Sequence, residues 1–361
     1  MTDLRTKIFS ALVIACVAVW FMFSVACCVQ LDTWQWGMIF TYPPRLVLIA
    51  IAIPLAIVGF IRHRMITSAF LAASICFFLV DLGIYADQWN PEAPPVATTT
   101  PAPSNNHSIR TISPQLDRNI PDLRVLSFNI HNQLDGLDRL NDYCEQHQIS
   151  ILCFQEVEPE EWSSLESYFP SFTFFRPDTS AELTYDKLGA FTNLIGIRNT
   201  RLAAFDATTE TGITEYRTYA VQAQMLDIGP LWIVDVHTAK AFSTKAGLVE
   251  AWNNATQKSQ RHRDEANALS AWLQKHQETP ILAAGDFNAP LHSHNLRLPQ
   301  LTNAQVCTSL QSHLSFPRSF PVWGIDHVLS SKSLQPIDYE LIDMGYSDHL
   351  AQLATLRYVG N

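Results

Sequence analysis

The chain has 361 residues, of which 47% are hydrophobic and 16% charged, and its formal net charge is −10 at pH 7. This length is sufficient for a membrane part and one large domain. The excess of acidic over basic residues is located after residue 110, which makes the second part of the chain a poor passive binder of polyanions. A nuclease is still compatible with this charge, because a bound divalent cation would change it locally. The seven cysteines show no CxxC or Cys/His zinc spacing, which excludes a zinc site of that kind.

Three apolar stretches dominate the first quarter of the chain, at residues 8–31, 46–61 and 66–85. A helix needs about 20 apolar residues to cross a bilayer. The first and third stretches reach that length, and the second reaches it if it continues through Pro43 and Pro44. We therefore predict a membrane anchor of three transmembrane helices over residues 1–89. A cleaved signal peptide fits less well, because the first run is long and two more follow it.

Basic residues predict the orientation of this anchor. Arg5 and Lys7 precede the first span, and Arg62 and Arg64 lie in the second turn, against Arg45 alone in the first loop. The positive-inside rule places the N-terminus and the second turn in the cytoplasm. Three crossings then deliver the C-terminal domain to the other side. The expected protein is a multi-pass integral membrane protein whose large domain is extracytoplasmic.

Two further regions follow the anchor. Residues 90–118 are rich in Pro, Thr, Ser and Asn, which predicts a flexible linker. Residues 119–361 have the composition of a globular domain, in which strand-like and helix-like patterns alternate. Strands are predicted at 123–130, 150–155, 190–198, 218–226, 231–236, 281–284, 325–329 and 350–357, and helices at 135–148, 160–169 and 245–276. Many strands with few helices predict two packed sheets with the helices outside. The aromatic run Phe172, Phe174 and Phe175 favours a strand with core aromatics over a lipid-contacting loop.

Six short blocks in this domain carry polar residues at the ends of apolar runs: LSFNIH, ILCFQEV, VDVHTAK, GDFNAP, GIDHVL and YSDHL. A buried strand that ends in such a residue places it at the sheet rim, where ligands of α/β folds usually bind. The candidates for one shared site are Asn129, Glu156, His237, Asp286, Asn288, Asp326, Asp348 and His349. Oxygen ligands and imidazoles without thiolates suit Mg²⁺ or Mn²⁺ and phosphate-ester chemistry.

These blocks, in this order, resemble the endonuclease/exonuclease/phosphatase superfamily, the fold of deoxyribonuclease I, over about residues 122–358. GDFNAP followed by SDH is the most specific part of the resemblance. The resemblance implies an α/β fold that is a four-layer sandwich, with two packed mixed β-sheets flanked by helices. It also implies a site at one rim of the paired sheets.

The resemblance implies a role for each residue of the first three blocks. Asn129 resembles the asparagine beside the metal and the phosphate, and Glu156 resembles the main metal ligand. His237 resembles the histidine that contacts the scissile phosphate and can donate a proton to the leaving oxygen. Arg217 precedes a strand, as a phosphate-contacting arginine does in several members.

The last three blocks supply the remaining groups. Asp286 resembles the residue that orients the attacking water or the metal, and Asn288 resembles a phosphate contact. Strand alternation predicts that these two side chains share one face. Asp326 resembles the carboxylate that orients the final histidine, His349, while Asp348 resembles a second metal-site carboxylate.

The sequence thus predicts a membrane-anchored, Mg²⁺- or Mn²⁺-dependent hydrolase of phosphate esters. Nuclease-type cleavage of phosphodiesters is the first expectation, with a phospholipid or sphingomyelin-type phosphodiesterase or an inositol-phosphate-type phosphatase as the alternative. A catalytically inactive, membrane-tethered binding module is the third possibility. The expected partners are a phosphate-ester substrate, either nucleic acid or a phospholipid head group, and the lipid bilayer. The sequence indicates no protein partner.

Overall fold

A computed structural model describes residues 122–177, 192–204, 207–211, 213–214, 217–240, 248–290, 293, 298–307, 314–321 and 323–360, together with residues 15, 19 and 22. Of the predicted anchor and linker, the structure thus describes Ala15, Val19 and Met22, each in helical conformation. The other residues of those two segments lie outside the described part. None of the helices in the described part combines the length and the apolar character needed to cross a membrane.

Twelve strands and three α-helices make up the described part of the domain. In chain order they are β1 (Leu123–Asn129), α1 (Leu137–Gln146), β2 (Ile151–Val157), α2 (Trp162–Tyr168), β3 (Phe172–Phe175), β4 (Thr192–Arg198), β5 (Thr208–Glu210), β6 (Arg217–Met225), β7 (Gly229–His237), α3 (Leu248–Lys275), β8 (Ile281–Asp286), β9 (Leu301–Asn303), β10 (Asp326–Ser331), β11 (Leu334–Ile342) and β12 (Ala351–Tyr358).

The strands form two six-stranded sheets. Sheet A has the order β11-β12-β1-β2-β4-β3, and sheet B has the order β5-β6-β7-β8-β10-β9. Both sheets are mixed, because β1 and β2 pair in parallel, as do β7 and β8, while the other pairs are antiparallel. The prediction of two packed mixed sheets is therefore confirmed.

Three apolar clusters explain why these strands read as continuous hydrophobic runs. The first lies between the sheets and joins side chains such as Val125, Ile233 and Val328. The second covers the outer face of sheet A with α1 and α2, and the third covers the outer face of sheet B with α3. A strand covered on both faces is buried at every position, as β2 is at all seven of its residues.

The predicted strands and helices correspond to observed ones, and the aromatic run at Phe172 forms β3. Phe172 and Phe174 pack on the outer cluster of sheet A, as the strand interpretation requires. Three strands were not predicted: β5, β9 and β11. The last contains Pro336 and a register shift beside it. It is one of the two edge strands of sheet A, where a proline does not interrupt a ladder.

Candidate active site

Four of the predicted residues lie in one row across sheet B. In the strand register, His237 pairs with Arg217 on one side and with Asp286 on the other, and Asp286 pairs with Asp326. Paired residues on neighbouring strands project to the same face of a sheet. The row thus collects groups from β6, β7, β8 and β10 at a single rim, although 109 positions separate the first from the last in the sequence.

Sheet A supplies Asn129 and Glu156 at the facing rim. Asn129 Nδ2 donates to Asp286 Oδ2 at 3.1 Å, which joins the two sheets directly at the site. Glu156 has a φ of 56°, a left-handed conformation that is uncommon for a residue with a side chain. The β2 register shifts at the same place, between Phe154 and Val157. Backbone strain of this kind clusters at functional sites.

Asp326 and His349 form a buried, hydrogen-bonded pair in the site. His349 Nδ1 lies 3.1 and 3.0 Å from the two carboxylate oxygens of Asp326, and both side chains are buried. Ser315 Oγ donates to Asp326 Oδ2 at 2.5 Å. The Phe316 ring packs on the imidazole with a centroid distance of 4.7 Å. The histidine is therefore held in one orientation from two sides.

The charge of His349 follows from these neighbours. Burial by itself would lower its pKa, but Asp326, with smaller contributions from Asp286 and Asp348, outweighs burial and raises the pKa of His349 to about 9. Its Nε2 atom lies 3.9 Å from Asp286 Oδ2. The imidazolium thus bridges two buried carboxylates of the row.

Glu156 is a buried carboxylate surrounded by basic side chains. Burial would raise its pKa, but His237, Lys240 and His131, with a hydrogen bond from Asn129, lower the pKa of Glu156 to about 2. Lys240 Nζ lies 3.3 Å from Glu156 Oε1, and His131 Nδ1 lies 3.1 Å from Glu156 Oε2. The carboxylate is therefore ionised at neutral pH.

His237 has the opposite electrostatic character from His349. Burial is the main cause that lowers its pKa, to about 3, and the charges of Arg217 and Lys240 act in the same direction. Its Nε2 atom lies 3.6 Å from Glu156 Oε1 and 3.9 Å from Asp286 Oδ2. Because the ring is neutral at neutral pH, these approaches are contacts of a polar ring with carboxylates and not ion pairs.

The negative charge of Asp286 is disfavoured by its surroundings. Burial, and then repulsion by Asp326, raise its pKa well above the ordinary range. It accepts a hydrogen bond from the backbone N–H of Asn288 at 2.8 Å. This turn corrects one prediction, because β8 ends at Asp286 and Asn288 has a left-handed φ of 47°. A turn, and not strand alternation, places Asn288, whose Nδ2 donates to Thr238 O at 2.9 Å.

Asp348 lies farther out than predicted for a metal ligand. Its side chain is 43% exposed, and its Oδ1 lies 3.7 Å from His131 Nδ1 and 3.9 Å from His349 Nε2. The groups with ligand atoms within 4.8 Å of one another are Glu156 with His237 and Asp286, and Asp286 with Asp326 and His349. The predicted metal set of Asn129, Glu156 and Asp348 shares Glu156 with the first of these groups, and it stays a prediction.

The first of these groups fits a divalent cation. Glu156 is ionised, Asp286 is a second carboxylate, and His237 is a neutral imidazole, the form that binds metals. Two carboxylates with one imidazole are a donor set that Mg²⁺ or Mn²⁺ accepts. A cation there would also relieve the repulsion that raises the pKa of Asp286.

Three residues of the site were missed in the sequence: His131, Lys240 and Ser315. His131 and Lys240 stand inside the blocks LSFNIH and VDVHTAK, two and three positions after a predicted site residue, and this closeness was the available signal. Ser315 lies 11 positions before Asp326 in the sequence. Nothing in its surroundings marks it.

Comparison with known proteins agrees with this geometry. The model of the Endonuclease/Exonuclease/phosphatase family matches residues 126–349, a span that begins just before Asn129 and ends at His349. The chain belongs to this family. Its members are phosphoester hydrolases that depend on a divalent metal. No curated protein sequence matches the chain.

Solved structures are similar to the chain at low sequence identity. A D. rerio TDP2 humanized by 14 mutations is 17% identical, with a TM-score of 0.50 over 65% of this chain and 99% of that chain. An endonuclease/exonuclease/phosphatase from Bacteroides vulgatus is 16% identical, with a TM-score of 0.49 over 66% and 99%. A mannosyl-6-phosphatase from Bacteroides thetaiotaomicron is 13% identical, with a TM-score of 0.47 over 65% and 100%. The likeness to TDP2 shows a common fold and leaves the substrate open.

Proposed function

We propose that the chain is a Mg²⁺- or Mn²⁺-dependent hydrolase that cleaves phosphodiester bonds by in-line attack of water, in the manner of a nuclease. The observation that carries the proposal is the buried Asp326–His349 pair beside Asp286 and Glu156. A carboxylate that fixes the orientation of an imidazole supports proton transfer at the other ring nitrogen. His349 Nε2 is that nitrogen, and it faces Asp286 at 3.9 Å.

The residues divide the work as their charges suggest. His349 and Asp286 hold the attacking water, and His349 takes up its proton once the imidazole is in its neutral form, while Asp326 holds the imidazole. Asn288 and Arg217 bind phosphate oxygens, and the neutral His237 donates a hydrogen bond to the phosphate as charge develops there.

The carboxylates of Glu156 and Asp286 would hold the metal, with His237, Asn129 and Asp348 beside them. A bound divalent cation would supply positive charge against the phosphate oxygens and lower the pKa of His349 towards neutrality. Glu156 is the best-suited ligand for the cation, because its carboxylate is buried and yet ionised.

The second candidate is a lipid phosphodiesterase or an inositol-phosphate-type phosphatase, and it is favoured by the apolar stretches at residues 8–31, 46–61 and 66–85. A domain tethered to a bilayer works close to lipid head groups, and the acidic domain disfavours a polyanionic nucleic acid. The linker makes the argument from proximity weaker, because roughly 30 extended residues span many tens of ångströms and would let the domain reach substrates far from the bilayer. A membrane-tethered binding module without activity remains the third candidate.

The proposal includes the location of the protein. Residues 1–89 would form a three-span anchor, residues 90–118 a linker, and residues 119–361 an extracytoplasmic catalytic domain. Protease protection in sealed, right-side-out vesicles or spheroplasts tests this arrangement. We expect that protease added outside intact vesicles cuts the chain within residues 90–118. Cleavage that occurs only after the membrane is permeabilised would contradict the orientation.

Activity is tested with the full chain purified in mild detergent, with Mg²⁺, Mn²⁺ or EDTA. The substrates are plasmid DNA, RNA, phospholipid vesicles, inositol phosphates and bis-p-nitrophenyl phosphate. Glu156→Gln and His349→Gln should each abolish the metal-dependent hydrolysis, while the matched control Glu340→Gln, an exposed position on β11, should leave it unchanged. Preference for DNA or RNA would support the nuclease, and preference for lipid or inositol phosphates the second candidate. Metal-independent activity that survives Glu156→Gln would refute the assignment of the site.

A further inference from the structure

Lys240 is a charged residue at the site to which none of the roles above is assigned. It follows the end of β7 by three positions, after His237, Thr238 and Ala239. Its ammonium lies 3.3 Å from Glu156 Oε1, and its side chain is 51% exposed, whereas that of Glu156 is 4% exposed. The ammonium therefore stands on the solvent side of the buried carboxylate.

The backbone that carries Lys240 is fixed by buried hydrogen bonds. Thr238 N–H donates to Asp286 O at 3.1 Å, and Thr238 O accepts from Asn288 Nδ2 at 2.9 Å. Ala239 N–H donates at 2.9 Å to Glu265 Oε2, a carboxylate of α3 that is 1% exposed. The residues immediately before Lys240 are thus tied both to β8 and to the long helix, so that its position is built into the fold.

The ion pair with Glu156 uses only part of the hydrogen-bonding capacity of the ammonium. An ammonium has three N–H donors and no acceptor. One of the three suffices for Glu156, the ion-pair partner of Lys240 in the described part of the chain, and the others can bind oxygens that arrive from solvent. Lysine is charged in both the presence and the absence of substrate, since its ordinary pKa is far above neutrality.

We propose that Lys240 binds a non-bridging oxygen of the substrate phosphate and favours substrates whose phosphate carries two negative charges. This inference rests on the proposed phosphoesterase function and specifies the substrate contact in the same site. The attraction between charges is proportional to each of them. A phosphomonoester dianion therefore gains more from Lys240 than a phosphodiester monoanion does. Lys240 thus adds to the affinity for terminal phosphates, whichever ester the enzyme turns over fastest.

The test compares Lys240→Gln with the wild type in the full chain, in the presence of Mg²⁺. Lys332→Gln is the matched control, because Lys332 is exposed in the turn after β10, at the end of that strand opposite to Asp326. Both variants remove one positive charge from the chain. The substrates are p-nitrophenyl phosphate and bis-p-nitrophenyl phosphate, and calorimetry measures the Kd of inorganic phosphate.

Loss of one charge-assisted hydrogen bond at a half-exposed position should raise KM for the diester about 10-fold. The rise should be larger for the monoester, with kcat less affected, and the Kd for phosphate should rise in parallel. Lys332→Gln should match the wild type. A KM and a phosphate Kd that stay within about two-fold of wild type in Lys240→Gln would overturn the inference, as would a loss confined to kcat.

The two proposals fail in different ways. If the wild-type chain hydrolyses neither compound, the result contradicts the proposed function. The calorimetric comparison still tests the role of Lys240, because it needs no turnover. Tighter phosphate binding by the wild type than by Lys240→Gln would then support Lys240 as a phosphate ligand. Equal binding, or no binding by the wild type, would refute it.

Discussion

The Asp326–His349 pair makes the folding stability depend on pH in a predictable direction. The pKa of His349 is raised from its ordinary 6.5 to about 9. A shift of this size corresponds to about 3 kcal/mol in favour of the protonated folded state. Because the folded pKa exceeds the unfolded one, this stabilisation is complete below pH 6.5 and is lost as the pH rises through about 9. The side chain is 3% exposed, so that solvent screens the pair little.

Asp326→Asn removes the charge and keeps the shape of the side chain. Burial then acts on His349 with less opposition, so we expect the variant to lose on the order of 3 kcal/mol of unfolding free energy at pH 6. The loss should be smaller at pH 10, where the imidazole is neutral in both proteins. The assay is urea unfolding of residues 119–361 in EDTA at several pH values, followed by tryptophan fluorescence.

Two further variants isolate this effect. Burial and repulsion by Asp326 also raise the pKa of Asp286, so the comparison is repeated in a His349→Gln background, where the part that depends on pH above 7 should disappear. Asp122→Asn breaks an exposed pair with Arg357 and should cost less than about 1 kcal/mol. A loss on Asp326→Asn that is the same at pH 6 and pH 10 would show that His349 is not charged in the fold, and the reasoning would be wrong.

Three other predictions test the fold and the site. Gly285 has a φ of 145°, and a Cβ there would lie 1.9 Å from Val236 O, so Gly285→Ala should prevent folding, measured as loss of soluble protein; a normal yield would contradict the β7–β8 register. Burial raises the pKa of the thiols of Cys144 (to about 12) and Cys307 (to about 11), and it raises that of Cys153 well above its ordinary value. The folded domain should therefore react slowly with Ellman's reagent at pH 8, with Cys307 first, and all three should react quickly in urea. Addition of EDTA should abolish phosphate binding as well as turnover, because the carboxylate-rich site then repels the anion; binding that calorimetry still detects in EDTA would contradict this.

The sequence predicted the interior of the fold better than its edges. Strands such as β2 and β8 are buried at every position, and an apolar run bounded by polar residues marks them clearly. The strand β11 has the burial of an edge strand, with exposed positions and Pro336 within it, so that no periodic pattern marks it. The short strands β5 and β9 have three residues each, too few for any period to be recognised.

Site residues could be predicted from the sequence where they end a buried strand. They could not be predicted where a loop brings them to the site. His237 and Asp286 are found because their strands are long and apolar. The register that aligns them with Asp326 depends on pairing between distant segments, which local pattern does not contain. His131 reaches Glu156 because its φ is 50°, a loop conformation that no neighbouring glycine indicates.

The charges of the site explain how an acidic domain can act on an anionic substrate. Glu156 is matched by Lys240, and Asp326 is matched by the imidazolium of His349. Asp286 lies between these two pairs, and its raised pKa shows that the positive groups around it do not compensate its charge. A divalent cation bound by Glu156 and Asp286 would add two positive charges at the point where compensation is lacking. The sign of the local potential would therefore depend on the metal, and the acidity of the rest of the domain would confine phosphate binding to this rim.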